Sequence, residues 1–213
     1  MKKKILVFLL IIMGMSVFAQ NGTIKEMSGT VELKNPGAPD FTPAKAGDTV
    51  GQQTVVSTGF KSTALIEIGS AVLTVRPLTR LTLTEINAST GAESLNVNLQ
   101  AGRVRVEVNP PAGTKASMSV KGPTATASVR GTSFDFDTRN IYVNRGKVSF
   151  QGSRGAGVLV SAGSTSQIND NGRALNPVET QYVNLLPPSP AGLNTGGGAL
   201  SSAITGEITI TLE

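Results

Sequence analysis

Short runs of alternating apolar and polar residues fill most of this chain, and no other feature limits its fold as strongly. The clearest runs cover residues 64–68, 72–75, 81–86, 95–99 and 104–108. A period of two puts apolar side chains on one face of a strand and polar side chains on the other. No window carries a sustained apolar stripe at helical spacing, so crossover helices are not expected. The sequence predicts an all-β protein of many short, mostly antiparallel strands, arranged as a sandwich or an irregular solenoid.

Three glycines introduce strands in the same way. Gly29, Gly102 and Gly146 are each followed by a polar residue and then by Val. Glycine adopts the positive φ of a tight turn at little cost. Ordinary hairpin turns and a duplicated structural unit both explain the pattern, and the irregular spacing does not separate them.

The N-terminal segment 1–19 has the parts of a secretory signal peptide. Lysines at positions 2–4 precede an apolar run, and Val17 and Ala19 place small side chains at a cleavage site. The apolar run is shorter than the roughly 20 residues that a membrane-spanning helix needs. We therefore expect cleavage after Ala19 and export to the periplasm or the medium. The mature protein is then not expected to span the membrane.

The composition argues against several kinds of function. The chain has no His and no Cys, so it lacks the commonest general base and two common transition-metal ligands. Three of the 19 basic residues lie in the predicted signal peptide, and its removal lowers the net charge from +5 to +2. The chain has no dense basic cluster with interleaved aromatic residues, so nucleic acid is not an expected partner. We expect no enzymatic activity and no cofactor.

Two acidic motifs have both a chemical and a structural interpretation. Asp135 and Asp137 fall on one face of a predicted strand, with Phe134 and Phe136 on the other face. Such a pair could serve glycoside hydrolysis or bind a metal, but a solvated polar face opposite a buried Phe face is favoured. The sequence Asn-Asp-Asn-Gly at 169–172 resembles part of a calcium loop. It lacks the full ligand set, so a tight hairpin turn is favoured there.

Four arginines are candidate contacts for an acidic partner. Arg76 and Arg80 flank Pro77, and Arg103 and Arg105 alternate on one face of a predicted strand. The same pattern is typical of solvated strand faces, so both interpretations stay open.

The composition of the chain changes near residue 176. Proline and then glycine are frequent up to residue 205, and residues 206–213 alternate again. This predicts one domain over 20–175, a flexible linker over 176–205 and a C-terminal strand over 206–213. Because a lone strand is unstable in water, the last strand has to pair with a sheet or with another chain.

The most distinctive stretch is 123–134, with the sequence Pro-Thr-Ala-Thr-Ala-Ser-Val-Arg-Gly-Thr-Ser-Phe. Extended chain on both sides of Gly131 predicts a bend or bulge at that residue. We interpret the stretch as a structural centre of the fold rather than a reactive site. In the alternative, Arg130 is an exposed contact for an acidic partner. The motif consists of Pro123, Val129, Arg130, Gly131, Thr132 and Phe134.

With the shorter motifs at 57–59, 73–77, 102–104 and 160–163, this stretch makes region 22–172 resemble the FecR domain family. The family is named for a regulator of iron-dicitrate transport. The resemblance implies a β-rich extracytoplasmic domain without known catalytic chemistry. In the namesake regulators the domain receives a signal from an outer-membrane receptor and acts on a sigma factor, and those regulators carry a transmembrane helix and a cytoplasmic segment. The present sequence resembles a stand-alone exported version without the cytoplasmic anti-sigma segment.

From these features we expect a non-enzymatic, exported binding or envelope-scaffold module. Its expected partner is an unidentified envelope protein or peptidoglycan. One alternative is a periplasmic sensory component of a signalling system that acts through a membrane partner. A second alternative is a protein that binds cell-wall glycan.

Overall fold

The structure of the protein is a computed structural model, which describes residues 21–89 and 91–185. The predicted signal peptide, the predicted C-terminal strand and the linker residues 186–205 lie outside the described residues. No helix in the described part of the chain is long and apolar enough to cross a membrane.

The described residues form two β-sheets, which confirms the predicted all-β class. The first sheet contains β1 (Gly22–Ser28), β4 (Thr49–Val50), β6 (Thr63–Ile68), β7 (Ala71–Val75), β10 (Arg103–Val108), β13 (Ser133–Asp137), β14 (Asn140–Arg145) and β17 (Thr165–Gln167). The second sheet contains β2 (Val31–Lys34), β3 (Thr42–Pro43), β5 (Val55–Thr58), β8 (Arg80–Ser89), β9 (Ala92–Ala101), β11 (Lys115–Lys121), β12 (Ala125–Val129), β15 (Lys147–Gly152) and β16 (Val158–Ser161).

Neighbouring strands are antiparallel with one exception. The first sheet has the order β17-β14-β13-β10-β7-β6-β1-β4, and the second has the order β16-β15-β12-β11-β9-β8-β5-β2-β3. The exception is the pair β9 and β11, which run parallel from Ala92 beside Lys115 to Asn98 beside Lys121. A parallel pair needs a crossover between its strands, and here β10 supplies it by passing through the first sheet.

The core lies between the two sheets. Phe136 of the first sheet and Phe150 of the second meet edge to face, with ring centroids 6.1 Å apart and planes at 74°. Along most strands, buried and accessible residues alternate as the sequence predicts, and β7 is a clear case. One row of fully buried side chains crosses six strands of the first sheet: Ile24, Ile66, Leu73, Val106, Phe134 and Val143. We call these six residues the central row.

The three strand-opening glycines take the positive φ that the sequence predicts, but none of them closes a hairpin. Their φ angles are 74° at Gly29, 87° at Gly102 and 83° at Gly146. The strands before and after each glycine belong to different sheets. Each glycine therefore marks a corner at which the chain passes from one sheet to the other. The bend predicted at Gly131 has the same role, because φ is 65° there and β12 and β13 lie in different sheets.

The first part of the predicted linker is a helix, α1 (Pro177–Leu185). Two reciprocal hydrogen bonds between Asn176 and Glu179 cap its N-terminus. The Asn176 Oδ1 accepts a hydrogen bond from the Glu179 N–H at 2.9 Å, and a Glu179 carboxylate oxygen accepts one from the Asn176 N–H at 3.1 Å. This reciprocal pair is a capping box, and Pro177 is well placed because the first helical residue needs no N–H partner. These nine residues of the predicted linker are therefore helical.

Candidate interaction surface

The outer face of the first sheet carries a cluster of charged side chains from β10, β13 and the end of β7. Three of the four arginines singled out in the sequence lie there, namely Arg76, Arg103 and Arg105. Arg80 does not join them, because it begins β8 in the second sheet. Its guanidinium stacks 5.3 Å from the centre of the Phe41 ring. The pattern of arginines in the sequence therefore predicts most of the cluster, but not which residue is left out.

Asp135 and Asp137 take the polar face of β13, and Phe134 and Phe136 take the buried face, as the sequence predicts. The register of the sheet explains why they meet arginines. On the antiparallel partner β10, Arg105 lies opposite Asp135 and Arg103 lies opposite Asp137. Opposite charges in directly facing positions stabilise a strand pair.

The contacts within this cluster differ in quality. Arg105 donates from Nε and Nη2 to one carboxylate oxygen of Asp135, at 3.0 and 2.9 Å. Asn144 also donates to Asp135, at 3.0 Å. Arg103 reaches Asp137 at 3.5 Å, and Arg76 comes no closer to Asp135 than 3.9 Å. We call Arg76, Arg103, Arg105, Asp135 and Asp137 the arginine–aspartate network.

Asp135 is held in its charged form by this network. Partial burial by itself raises the pKa of Asp135, but the hydrogen bonds from Arg105 and Asn144 outweigh it and leave the pKa below its usual range. The hydrogen bond to Asp135 raises the pKa of Arg105 in turn. A general acid in glycoside hydrolysis needs a raised pKa. Asp135 is therefore suited to pairing with cations rather than to donating a proton.

A shallow cavity of about 390 Å³ lies beside the network. Tyr142 of β14 forms one wall, and 44% of its surface is exposed. Asn140, Ile141 and Thr165 complete the lining. A second hollow of about 560 Å³ shares Arg76, Arg103 and Asp137 with the first and continues to Leu78. The surface combines hydrogen-bond donors, charge and an exposed ring, which suits a polar or acidic ligand.

The sequence motif around Gly131 does not lie in this surface as a unit. Val129, Thr132 and Phe134 are buried, whereas Pro123 and Arg130 are exposed. Arg130 lines a different hollow with Glu93 and Lys115. No hydrogen bond or ion pair joins it to another described residue. Its role as a contact for an acidic partner stays a prediction.

The segment 169–172 forms the predicted tight turn. The Gly172 N–H donates to the Asn169 carbonyl at 2.9 Å, and φ is 77° at Gly172. Asp170 pairs with Arg139 at 2.9 Å. Within residues 21–89 and 91–185, no three side chains of the metal-ligating types lie close enough together to hold a metal ion.

The sequence analysis missed the polar residues of β14 that complete the surface. Asn140, Tyr142 and Asn144 occupy alternate positions, and they face outward beside Asp135 and Asp137. The alternation around the buried Ile141 and Val143 is a signal that could have placed them on one face. Their chemical use becomes visible only when the hairpin of β13 and β14 sets them beside the arginines of β10.

Comparison with known proteins gives one family and two structures. The model of the FecR protein family matches residues 54–149. Two crystal structures, both described as a "putative anti-sigma factor" from Parabacteroides distasonis ATCC 8503, are 15% and 16% identical with TM-scores of 0.46. The alignments cover 61% and 60% of this chain, and this chain spans 64% and 62% of the two structures. No curated protein matches the chain. The matched residues extend from just before β5 into β15 and include the whole arginine–aspartate network. This part of the chain therefore matches the FecR protein family.

Proposed function

We propose that the chain is an exported, non-enzymatic binding module of the bacterial envelope whose FecR domain holds a partner on the outer face of the first sheet. The FecR domain itself supports a signalling-related role. The observation that carries the proposal is the arginine–aspartate network, which places partly unpaired arginines beside an exposed tyrosine.

The energetics of Arg76 and Arg103, the loosely paired arginines of the network, favour binding over stability as their purpose. Exposed ion pairs contribute about 0–1 kcal/mol to folding, and the side chain of Arg103 is 60% exposed with one contact of 3.5 Å to Asp137. Asp135 is 17% exposed and takes most of its hydrogen bonds from Arg105 and Asn144. Arg76 and Arg103 therefore keep donor capacity that a partner can use.

The partner in this proposal is an envelope protein, and a signalling role would pass through a membrane protein that the module contacts. Peptidoglycan is the second candidate. It is favoured by Tyr142, an exposed ring flanked by the amides of Asn140 and Asn144, because aromatic and amide groups together suit sugar rings and their hydroxyls.

The test is capture of a partner by the mature protein in cross-linked envelopes. In Arg103→Glu the charge of an exposed network residue is reversed, and we expect capture to fall by at least about tenfold, equivalent to about 1.4 kcal/mol. Lys121→Glu is the matched control, because Lys121 is an exposed residue of β11 in the other sheet. If both variants capture the partner as well as the parent does, the network is not part of the binding site.

A second arm of the experiment separates the two candidate partners. The mature protein is mixed with purified peptidoglycan and sedimented. Retention that Tyr142→Ala abolishes would favour the glycan partner, and no retention together with a cross-linked protein would favour the protein partner. Recovery of the full-length, uncleaved chain only in the cytoplasm would contradict export.

A further inference from the structure

Two bulky apolar side chains are exposed in two joined turns at the corner between the sheets. Phe60 is 73% exposed and Leu78 is 62% exposed. Phe60 lies where the chain passes from β5 to β6, and Leu78 lies where it passes from β7 to β8. The two turns are joined, because the Leu78 N–H donates to the Gly59 carbonyl at 3.2 Å. We call Phe60, Lys61, Pro77 and Leu78 the corner platform.

The backbone at Leu78 is unfavourable for leucine. Its φ is 55°, in the left-handed region that a bulky residue enters rarely and at a cost. The turn is fixed from both sides, since the Thr79 N–H donates to Thr58 Oγ1 at 3.0 Å and Thr58 Oγ1 donates to the Arg76 carbonyl at 2.6 Å. Glycine or asparagine would fit this position better. Because Leu78 is also exposed, folding does not explain why a leucine stands there.

Cationic side chains lie beside both exposed apolar residues. Lys61 Nζ lies 5.7 Å from the centre of the Phe60 ring. Arg76 and Arg103 line the hollow of about 560 Å³ that Leu78 borders, and Asp137 is its one acidic lining residue. Among the described residues, the Nε of Arg76 is enclosed without any hydrogen-bond partner. The Arg76 side chain as a whole is 40% exposed and comes no closer than 3.9 Å to Asp135, so its guanidinium keeps donor capacity for a carboxylate placed in the hollow.

We propose that the corner platform and the adjoining Arg76 and Arg103 bind an acidic peptide segment of a partner protein. This inference rests on the proposed function and names the chemistry of its partner. A bulky apolar side chain of the peptide packs on Phe60 and Leu78, and a neighbouring carboxylate accepts hydrogen bonds from Arg76 and Arg103. Strained residues held in place by their surroundings concentrate at binding sites, and arginine forks hold carboxylates with well-defined geometry.

Charge complementarity selects this occupant over the alternatives. Arg76 and Arg103 outnumber Asp137, the one acidic residue that lines the hollow, and Lys61 adds a further cation beside Phe60. Asp135 lies 3.9 Å from Arg76, but its closer partner is Arg105. A second copy that docked through the same corner would bring like charges together, which is unfavourable. A neutral sugar would leave both the apolar pair and the charges unmatched.

The first experiment is selection from a random peptide library on the mature protein. We expect enrichment of peptides in which Asp or Glu adjoins Leu, Ile or Phe. The same selection on the double variant Leu78→Gly, Arg103→Gln is the control, and it is expected to lose this enrichment. An identical set of peptides from both proteins, or a set without carboxylates, would overturn the proposal.

The second experiment measures binding of one enriched, fluorescein-labelled peptide by anisotropy. Leu78→Gly should weaken binding about tenfold, equivalent to about 1.4 kcal/mol, and it should raise the melting temperature because glycine relieves the left-handed backbone. Loss of binding in a more stable protein cannot come from misfolding. Leu159→Ala is the matched control, because Leu159 is 60% exposed on β16, away from the corner, and its binding should equal that of the parent.

Replacing the peptide's carboxylates by amides tests the arginines. Arg103→Gln should weaken binding of the acidic peptide but leave binding of the amide peptide unchanged. Lys121→Gln, at an exposed site in the other sheet, should change neither. Binding of the acidic peptide that is unaffected by both Leu78→Gly and Arg103→Gln would overturn the inference. If Arg103→Glu still abolishes capture from envelopes in that case, the proposed function stands and only the peptide chemistry of the corner fails.

Discussion

At the scale of single residues, Gly131 and its neighbour Arg130 are expected to differ in how well they tolerate substitution. Gly131 has a φ of 65°, and a Cβ built on it would lie 3.7 Å from Pro110, an ordinary contact. Backbone strain, rather than a clash, is therefore what a side chain would cause. Arg130 is exposed, and no hydrogen bond or ion pair holds it to another described residue.

We predict that Gly131→Val lowers the free energy of unfolding by about 2 kcal/mol, since a left-handed backbone costs roughly 1–2 kcal/mol and a β-branched residue is worst placed there. Arg130→Ala should stay within about 0.5 kcal/mol of the parent. Urea unfolding of both variants measures the difference. A parent-like midpoint for Gly131→Val would mean that the corner relaxes, and the structural interpretation of the motif would fail.

Asp135 makes stability depend on pH through the network. Its pKa is lowered in the folded state, so its stabilising contribution is complete above the unfolded pKa of about 3.9 and is lost as pH falls through the folded pKa. We predict that Asp135→Asn destabilises the protein at neutral pH by about 1–3 kcal/mol, because it breaks charged hydrogen bonds of Arg105. The gap between parent and variant should narrow below about pH 4. Urea midpoints across acidic pH measure this gap, and a gap independent of pH would contradict the pairing.

At the scale of elements, the alternating runs predict strands well, because burial of one strand face determines both the sequence pattern and the structure. In β7, Ala71, Leu73 and Val75 are buried and the residues between them are half-buried, as period two requires. The same sequence pattern does not show which strands pair with each other. A glycine with positive φ serves a hairpin and a corner equally, so Gly102 and Gly146 do not reveal that the chain changes sheets. The parallel pairing of β9 with β11 has no local signal either.

The helix α1 was missed for a related reason. Proline and glycine are frequent in its neighbourhood, and their frequency masks the start signal that Asn176, Pro177 and Glu179 form together. The apolar residues Val178, Tyr182 and Leu185 of the helix are exposed, so no buried stripe supports it. Thr180 alone is buried. The helix therefore depends on its cap more than a packed helix does.

We predict that Asn176→Ala weakens α1 by about 1 kcal/mol, the usual effect of removing an N-cap side chain. Amide hydrogen exchange of residues 177–185 should speed up, while exchange in β7 and β10 stays unchanged. Asn171→Ala is the control, because Asn171 lies in a turn outside the helix. Equal exchange in α1 for the parent and Asn176→Ala would show that packing on β17, and not the cap, holds the helix.

At the scale of the whole molecule, two seams join the first half of the chain to the second. In the first sheet β10 pairs with β13, and in the second sheet β9 pairs with β11. The arginine–aspartate network spans the first seam, because its arginines come from one half and its aspartates from the other. The sequence indicates both kinds of residue, but only long-range pairing brings them together. The candidate surface could therefore be predicted in composition and not in arrangement.

The central row crosses the same seam, and we expect its packing to make the two halves one cooperative unit. Phe134 lies on β13, the strand of the second half that forms the seam. It is fully buried, opposite Val106 and Val143. We predict that Phe134→Ala lowers the free energy of unfolding by about 3–5 kcal/mol, whereas Leu159→Ala, at an exposed site, changes it by less than about 0.5 kcal/mol. Because both sheets bridge the halves, each variant should still unfold in a single transition, with far-ultraviolet circular dichroism and tyrosine fluorescence following the same curve. Two separated transitions in Phe134→Ala would mean that the halves fold independently. In that case the network could not hold its arginines and aspartates together once one half had opened, and partner capture would be lost at the first transition rather than at the second.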